Sequence, residues 1–295
     1  MRTRNHRCVS SPSDGRFAPS PSGRLHLGNL RTALLAWLFA RSGGGRFVLR
    51  IEDLDRARSR LEHERMQIED LHAIGLDWDG EPLRQSTRTT RYRDALEELK
   101  ALGRVYPCWC TRAEIRAAAE APHGPLPEGT YPGTCRRLTA AERAERQRSG
   151  RPAALRLDAR AAAVEFEDRL HGHVSGVVDD ADQDVREVVR GDDLLDSTPR
   201  QLQLARLLRL PEPRYAHVPL VLGPDGARLA KRHGAVTLAE HTAEEALSWM
   251  AATLGMAEPG ERVTPAALLP RFDPRSLPRE PTTLVTSGKP GGPFL

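Results

Sequence analysis

Two short stretches of this 295-residue chain combine residue types that suit phosphate chemistry. The first is Pro19-Ser20-Pro21-Ser22-Gly23-Arg24-Leu25-His26-Leu27-Gly28-Asn29, a turn rich in Pro, Ser and Gly that ends where a helical pattern begins. A helix start offers unpaired N–H groups and the positive end of its dipole to an anion. His26 adds a side-chain hydrogen bond to phosphate oxygens, and Gly28 lets a flat ligand approach the backbone. The second stretch is Arg228-Leu229-Ala230-Lys231-Arg232, inside the glycine-bounded loop 223–234. A cation on a movable loop can close over a phosphate and stabilise charge that develops in transfer. Taken singly, each has a plainer reading: a capped helix start and a solvated basic turn. A third group is Cys108-x-Cys110 followed by Cys135. Three thiolates are one ligand short of a structural zinc set. Tyr131 and His123 are the candidates for the fourth place, and ligand chemistry alone ranks the imidazole higher.

Elements that could position these groups follow from apolar spacing and glycine punctuation. The pattern predicts a strand at Arg16 to Ala18, a helix from Leu30 closed by Gly43-Gly44-Gly45, and a strand over 47–53 (FVLRIED). Helices are expected from Leu61 to Ile74 and from Tyr92 to Leu102. Further on come a strand at Val185 to Arg190, a helix at Pro199 to Leu210, a strand at His217 to Leu222 and a helix at Ala243 to Leu254. Strands alternating with helices mean α/β architecture on a parallel sheet. The expected organisation is a basic, disordered leader over 1–15, then the first half of a nucleotide-binding domain over 16–105. An insertion bearing the cysteines follows over 106–175, and the second half of the domain over 176–258. A proline-rich tail fills 259–295, its end from Ser287 disordered.

Composition narrows the class. Lys+Arg number 44 against 40 Asp+Glu, a net charge of +4 that permits a nucleic-acid face without requiring one. Only Lys100, Lys231 and Lys289 are lysines, so the arginine bias is general and Lys231 stands out. The longest apolar run, Thr32 to Ala40, is half a membrane span, and the leader (Arg2, Arg4, Arg7) lacks the apolar stretch of a secretory signal. Four cysteines, one of them Cys8 in the leader, do not make a disulfide framework. A cytoplasmic monomer that does not engage membranes is expected.

The order strand, HxGx, helix near the start and xLxKx loop near the end resembles the two signatures of class I aminoacyl-tRNA synthetases. The longer runs GRFAPSPSGRLHLGNLRTALLAW, RIEDLD, VRGDDLLDSTPRQLQL and YAHVPLVLGPDGARLAKRHG are similar to the glutamyl branch of that class, over roughly 15–280. The resemblance implies a Rossmann-like parallel sheet split by a zinc-bearing insertion. A full glutamyl-tRNA synthetase carries a further helical domain that reads the anticodon, for which this length leaves no room. The chain therefore resembles the free-standing catalytic domains of the branch, the glutamyl-queuosine tRNA(Asp) synthetases. Those enzymes activate glutamate with ATP and esterify queuosine in the anticodon of tRNA(Asp).

The resemblance also assigns residues. Arg16, Phe17, Ala18, Pro19 and Ser20 line a glutamate site, with Glu52 for the ammonium and Arg190 for a carboxylate. A guanidinium fork suits a carboxylate, and both arginines stand at strand ends, where parallel sheets bind ligands. ATP, accompanied by Mg²⁺, lies against His26, Gly28 and Asn29, with Lys231 on its phosphates. Zinc is held by Cys108, Cys110, Cys135 and, in the fourth place, Tyr131. Arg112, Arg116, Arg136 and Arg137 are expected to meet RNA phosphates. Asp53 and Asp55 are read as braces of their loop.

One departure from the family pattern stands out. HGHVSGVVDD (171–180) runs straight into ADQDVREVVRGDD, so by the resemblance a hairpin of about twenty residues, bearing a tyrosine that helps bind glutamate, is expected to be missing after Asp180. Its loss is expected to open one wall of the pocket and weaken activity. Smaller departures are Asn29 for the signature's last histidine and Ala230 for its serine. The competing readings are a non-catalytic tRNA-binding remnant and a small-molecule nucleotidyltransferase of the same superfamily.

Overall fold

The computed structural model describes residues 13–119, 133–158, 174–229 and 236–284. Cys8, His123, Tyr131, Ala230, Lys231, Arg232 and the end from Ser287 lie outside these residues. The chain divides into two compact units, one of Met1–Tyr92 with Glu165–Leu295 and the other of Arg93–Val164.

The larger unit begins with β1 (Gly15–Phe17), α1 (Leu27–Ser42), β2 (Phe47–Ile51), α2 (Leu61–Ala73) and β3 (Leu83–Arg84), after which α3 (Thr89–Ala101) crosses the division. The smaller unit pairs β4 (Val105–Cys108) antiparallel with β5 (Ala154–Leu157), with α4 (Arg112–Ala119) and α5 (Ala140–Arg148) between them in sequence. The larger unit resumes with α6 (Val174–Asp182), β6 (Glu187–Gly191), α7 (Thr198–Leu207), β7 (Arg214–Val218) and β8 (Val221–Leu222). It closes with α8 (Ala243–Thr253), α9 (Pro265–Leu268) and β9 (Thr282–Thr283).

Five of these strands form a wholly parallel sheet in the order β3-β2-β1-β6-β7. The chain moves outward one way from β1 and the other way from β6, so the topological switch lies between those two strands. Ligands of such sheets bind at the carboxyl ends of the strands beside that switch.

Strand alternation gives the sheet two unlike faces. Phe17, Leu49, Ile51, Val189 and Val218 point one way and join α1 and α8 in one apolar core. α1 comes so close that a Cβ on Gly15 would meet Ala40 Cβ at 3.0 Å, which is why β1 begins on glycine. The register sets Arg16 beside Val48 and Arg190 beside His217, which puts Arg16, Arg50, Arg190, Tyr215 and His217 on the opposite face. Among the described residues, Val48, Val185 and Val188 form a small buried apolar cluster there, with Tyr215 against it.

Several boundaries differ from the sequence-based expectation. Ser13 is buried and the Asp14 carboxylate accepts from Arg46 N at 2.8 Å, so the fold starts before residue 16. The strand expected at 217–222 is two, β7 and β8, separated by Pro219, which has no N–H for a ladder. The proline-rich tail packs: Thr282 N and Leu284 N donate to the carbonyls of Leu220 and Leu222 at 3.0 and 2.8 Å, and Leu284 is fully buried. The VVDD residues lie on α6.

Candidate active site and metal centre

The turn between β1 and α1 is held by its own carbonyls. Glu52 N donates to Pro19 O at 3.0 Å, and Gln67 Nε2 on α2 donates to the carbonyls of Ser20 and Gly23 at 3.1 and 2.6 Å. Arg24 meets the Asp70 carboxylate at 2.9 Å, yet burial still pushes that carboxyl above its usual range. The turn delivers His26 to the N-cap of α1. Asn29 N donates to His26 Nδ1 at 3.2 Å, and His26 N donates to Asn29 Oδ1 at 3.3 Å. An accepting Nδ1 puts the proton of a neutral ring on Nε2, the nitrogen able to donate to a phosphate oxygen. A Cβ on Gly28 would sit 3.1 Å from the His26 ring and 3.4 Å from Val221 Cβ, so the glycine makes room for the histidine itself.

The lysine loop is rooted at the same place. Leu229 N donates to Val221 O at 3.0 Å, and Leu27 N, in the first turn of α1, donates to Val236 O at 2.9 Å. Arg228 pairs with Asp193. The six residues 230–235 between these anchors, Lys231 among them, are outside the described set.

Arg16 and Arg190 flank the switch point on one face of the sheet. Arg16 donates from Nε to Asp180 Oδ1 and from Nη1 to Val189 O, both at 3.3 Å. Arg190 donates from Nε to His217 Nε2 at 3.0 Å and from Nη2 to Thr198 Oγ1 at 2.8 Å, with its guanidinium 5.0 Å from the centre of the Tyr215 ring. Both arginines are buried, and the protein fixes each by its Nε. Burial and the nearby Asp180 carboxylate push the Tyr215 phenol up to about 12, against the pull of Arg190 and Arg16. Glu52 lies one residue beyond β2, about one-third exposed and 3.7 Å from Arg50.

Beneath this arrangement lies a group the sequence reading missed. Arg50, essentially inaccessible, donates to Asp180 Oδ1 at 2.7 Å and to Gln183 Oε1 at 3.1 Å. Asp179, fully buried, accepts from Gln85 Nε2 at 2.8 Å, Arg88 Nε at 2.8 Å and the Tyr92 hydroxyl at 2.7 Å. Burial works to raise the Asp180 carboxyl, but the Arg50 and Arg16 guanidiniums outweigh it and hold the group below the usual range. The signal was present: Arg50 interrupts an apolar strand, and Asp179-Asp180 follow two valines.

The outcome for the other expected residues is mixed. Phe17 turns its ring into the apolar core, away from Arg16, so only its main chain can line the site. Ala18, Pro19 and Ser20 form the turn, with Pro19 buried and Ser20 exposed. Asp53 accepts from Ser86 N at 2.7 Å and Asp55 from Ala57 N at 3.2 Å, so both brace loops as expected. Tyr215, which nothing in the sequence singled out, lies against Arg190.

In the smaller unit, the sulfurs of Cys108, Cys110 and Cys135 all lie within 4.8 Å of one another. Zn–S bonds of about 2.3 Å in tetrahedral geometry separate sulfurs by roughly 3.8 Å, so three such thiolates fit one zinc ion. Cys110 Sγ and Cys135 Sγ are 3.4 Å apart, too far for a disulfide. Cys108 and Cys135 are buried beside Trp109, Tyr106 and Leu138. Nearby, Arg136 pairs with Asp158 at 3.2 Å, which ties up a side chain expected to meet RNA.

Comparison with known proteins places this geometry. The family model for tRNA synthetases class I (E and Q), catalytic domain, matches residues 14–176 and 173–256. The chain belongs to that family of class I synthetases. Among its relatives, a glutamyl-Q tRNA(Asp) synthetase of Nocardia farcinica is 55% identical, across 93% of this chain and 94% of its own length. Another from Symbiobacterium thermophilum is 49% identical, across 92% and 95%. A glutamate–tRNA ligase of Aquifex aeolicus is 40% identical, across 83% of this chain but 58% of its own length. The fold is that of the glutamate-tRNA synthetase of Elizabethkingia anophelis, with TM-score 0.77 at 24% identity over 93% of this chain and 68% of that one. The two pieces of the family match meet at 173–176, ahead of VVDD, so the break in pattern falls at the start of α6 and not after Asp180.

Among the described residues no helix is long and apolar enough to cross a membrane.

Proposed function

We propose that this chain activates L-glutamate with ATP and transfers the glutamyl group to queuosine in the anticodon of tRNA(Asp), as a cytoplasmic monomer. The observation that carries this reading is the pair of anchored guanidiniums, Arg16 and Arg190, on one sheet face at the switch point. A dicarboxylic amino acid needs two fixed cations and one carboxylate for its ammonium, and Glu52 supplies the third charge.

The α-carboxylate of glutamate attacks the α-phosphorus of ATP. An O–P bond forms, the bond to the β-phosphate bridge breaks, and pyrophosphate leaves with its electron pair. The attacking group is already ionised, so no base is needed, and catalysis rests on alignment and charge stabilisation. His26 Nε2, the first turn of α1 with Gly28 and Asn29, and Lys231 from the rooted loop hold the phosphates. Mg²⁺ accompanies the triphosphate and neutralises part of its charge. A queuosine hydroxyl then attacks the acyl carbon of the mixed anhydride: the ester C–O bond forms, the bond from that carbon to the phosphate oxygen breaks, AMP leaves with the electron pair, and the hydroxyl proton is released to the departing phosphate or to water. Cys108, Cys110, Cys135 and Tyr131 hold a structural zinc in the insertion over 106–175, between catalytic halves over 16–105 and 176–258.

The test has two arms. Glutamate-dependent ATP–pyrophosphate exchange without tRNA is expected, with Lys231→Ala lowering it at least a hundredfold. Labelled glutamate is expected to load tRNA(Asp) that carries queuosine even after removal of its 3′ terminal adenosine, and not to load tRNA(Asp) lacking queuosine. Absence of exchange together with retained tRNA binding would instead support the non-catalytic reading.

A further inference from the structure

We infer that Asp180 is the positioning residue of the glutamate site, the group that aims the Arg16 guanidinium and selects which of its edges meets the substrate. The inference rests on the reading of Arg16 as a glutamate ligand and goes beyond it, since Asp180 itself touches no substrate.

The geometry gives the direction of control. Asp180 Oδ1 is held at 2.7 Å by Arg50 Nη1, the shorter of its two ion pairs, and Arg50 is also tied to Gln183, the residue just past the end of α6. The neighbouring Asp179 is gripped from the other side by Gln85, Arg88 and Tyr92, and Asp182 by Arg88 and Arg91. With consecutive carboxylates anchored to different partners, α6 cannot rotate or slide against the sheet without breaking several buried bonds. Asp180 is therefore a fixed point, and Arg16 is the group that takes its orientation from it.

The consequence is chemical. Arg16 spends Nε on Asp180 and Nη1 on Val189 O, which leaves Nη2 as the side presented to a ligand. A carboxylate is then met at the outer end of the fork. The charge balance follows too. Arg16, Arg50 and Arg190 bring three cations to this face, and Asp180 offsets part of that charge where two of them converge. What remains suits a dicarboxylate better than a polyanion. The same residue bridges the break in the family pattern: α6 starts at 174, and its carboxylates reach the sheet all the same.

The experiment compares Asp180→Asn and Asp180→Glu with Arg88→Met, which removes one anchor of α6 while Gln85, Tyr92 and Arg91 still hold Asp179 and Asp182 and the Arg16 pair is untouched. ATP–pyrophosphate exchange is measured against glutamate and against ATP, with Tm as the check on folding. Both Asp180 variants are expected to raise KM for glutamate at least tenfold and to leave KM for ATP within twofold. Arg88→Met is expected to lower Tm while leaving KM for glutamate within twofold. An unchanged KM for glutamate in a folded Asp180 variant overturns the inference. So does an equal rise in Arg88→Met, or loss of folded protein in both Asp180 variants, because either marks the pair as structural. If the unsubstituted protein neither exchanges nor binds glutamate by calorimetry, the reading of the site fails, and this inference with it. If it exchanges normally, failure of the Asp180 variants counts against this inference alone.

Discussion

Arg190 stacks on Tyr215, and that contact carries a pH signature. The phenol is held up to about 12 in the fold, against about 10 when unfolded. A raised native pKa contributes stability that is fully present below pH 10 and is lost as pH rises through 12. Each pH unit in that window costs about 1.4 kcal/mol per such group. Tm is therefore expected to fall more steeply between pH 10 and 12 in the unsubstituted protein than in Tyr215→Phe, as melting curves across that range would reveal. Arg31 shows the converse case. It is buried on α1, its guanidinium donates to the carbonyls of Pro219 and Thr253 at 3.5 Å, and burial lowers its pKa to about 10. The sequence could not announce it, because in a chain with so many arginines one more on a helix is unremarkable.

At the scale of elements, glycine and proline carried most of the legible signal. Gly43 and Gly44 stop α1, and Gly75 and Gly103, both at positive φ, follow α2 and α3. The two-residue strands β3 and β9 offer no alternation to detect, so they came only from the structure, while β8 was merged with β7 in one expected strand. The ionic sheet face was half legible: Arg16, Arg50 and Arg190 each stand alone in an apolar strand, but nothing in those strands says that Asp180 of α6 meets the first two. β9 has a testable role. It pairs with β8, the strand that leads into the lysine loop, and it brings Leu284 into the core. Leu284→Ala is expected to cost ~2–5 kcal/mol in urea unfolding, and to raise KM for ATP more than KM for glutamate because the loop's root is loosened.

For the molecule as a whole, two units with separate cores imply separable stability. Among the described residues, the three thiols of the smaller unit sit with few other buried side chains, so a bound zinc would supply what a small core cannot. One zinc per chain is expected by elemental analysis, and none in Cys135→Ser. Chelation is expected to speed proteolysis within residues 93–164 at least tenfold and leave the larger unit intact. Simultaneous cleavage of both units would contradict this. The class of the protein was legible because the residues at the start of α1 and in the lysine loop sit in long, nearly continuous runs. The partners of Arg16 were not, since they lie more than 150 residues away in sequence.

That separation also bears on how the protein is made. The ribosome releases Arg16 and Arg50 early, but the carboxylate that neutralises both follows at residue 180. Until α6 has emerged, a nascent β1–β2 sheet would have to bury two cations with only the partly exposed Glu52 near Arg50 to offset them, at a cost of several kcal/mol per ion. The amino-terminal half therefore has reason to stay open during synthesis and to close late, when α6 arrives. Contacts of such long range slow folding and lengthen the exposure of apolar strands. A ribosome stalled before residue 174 would hold an unfinished sheet, a natural client for chaperones.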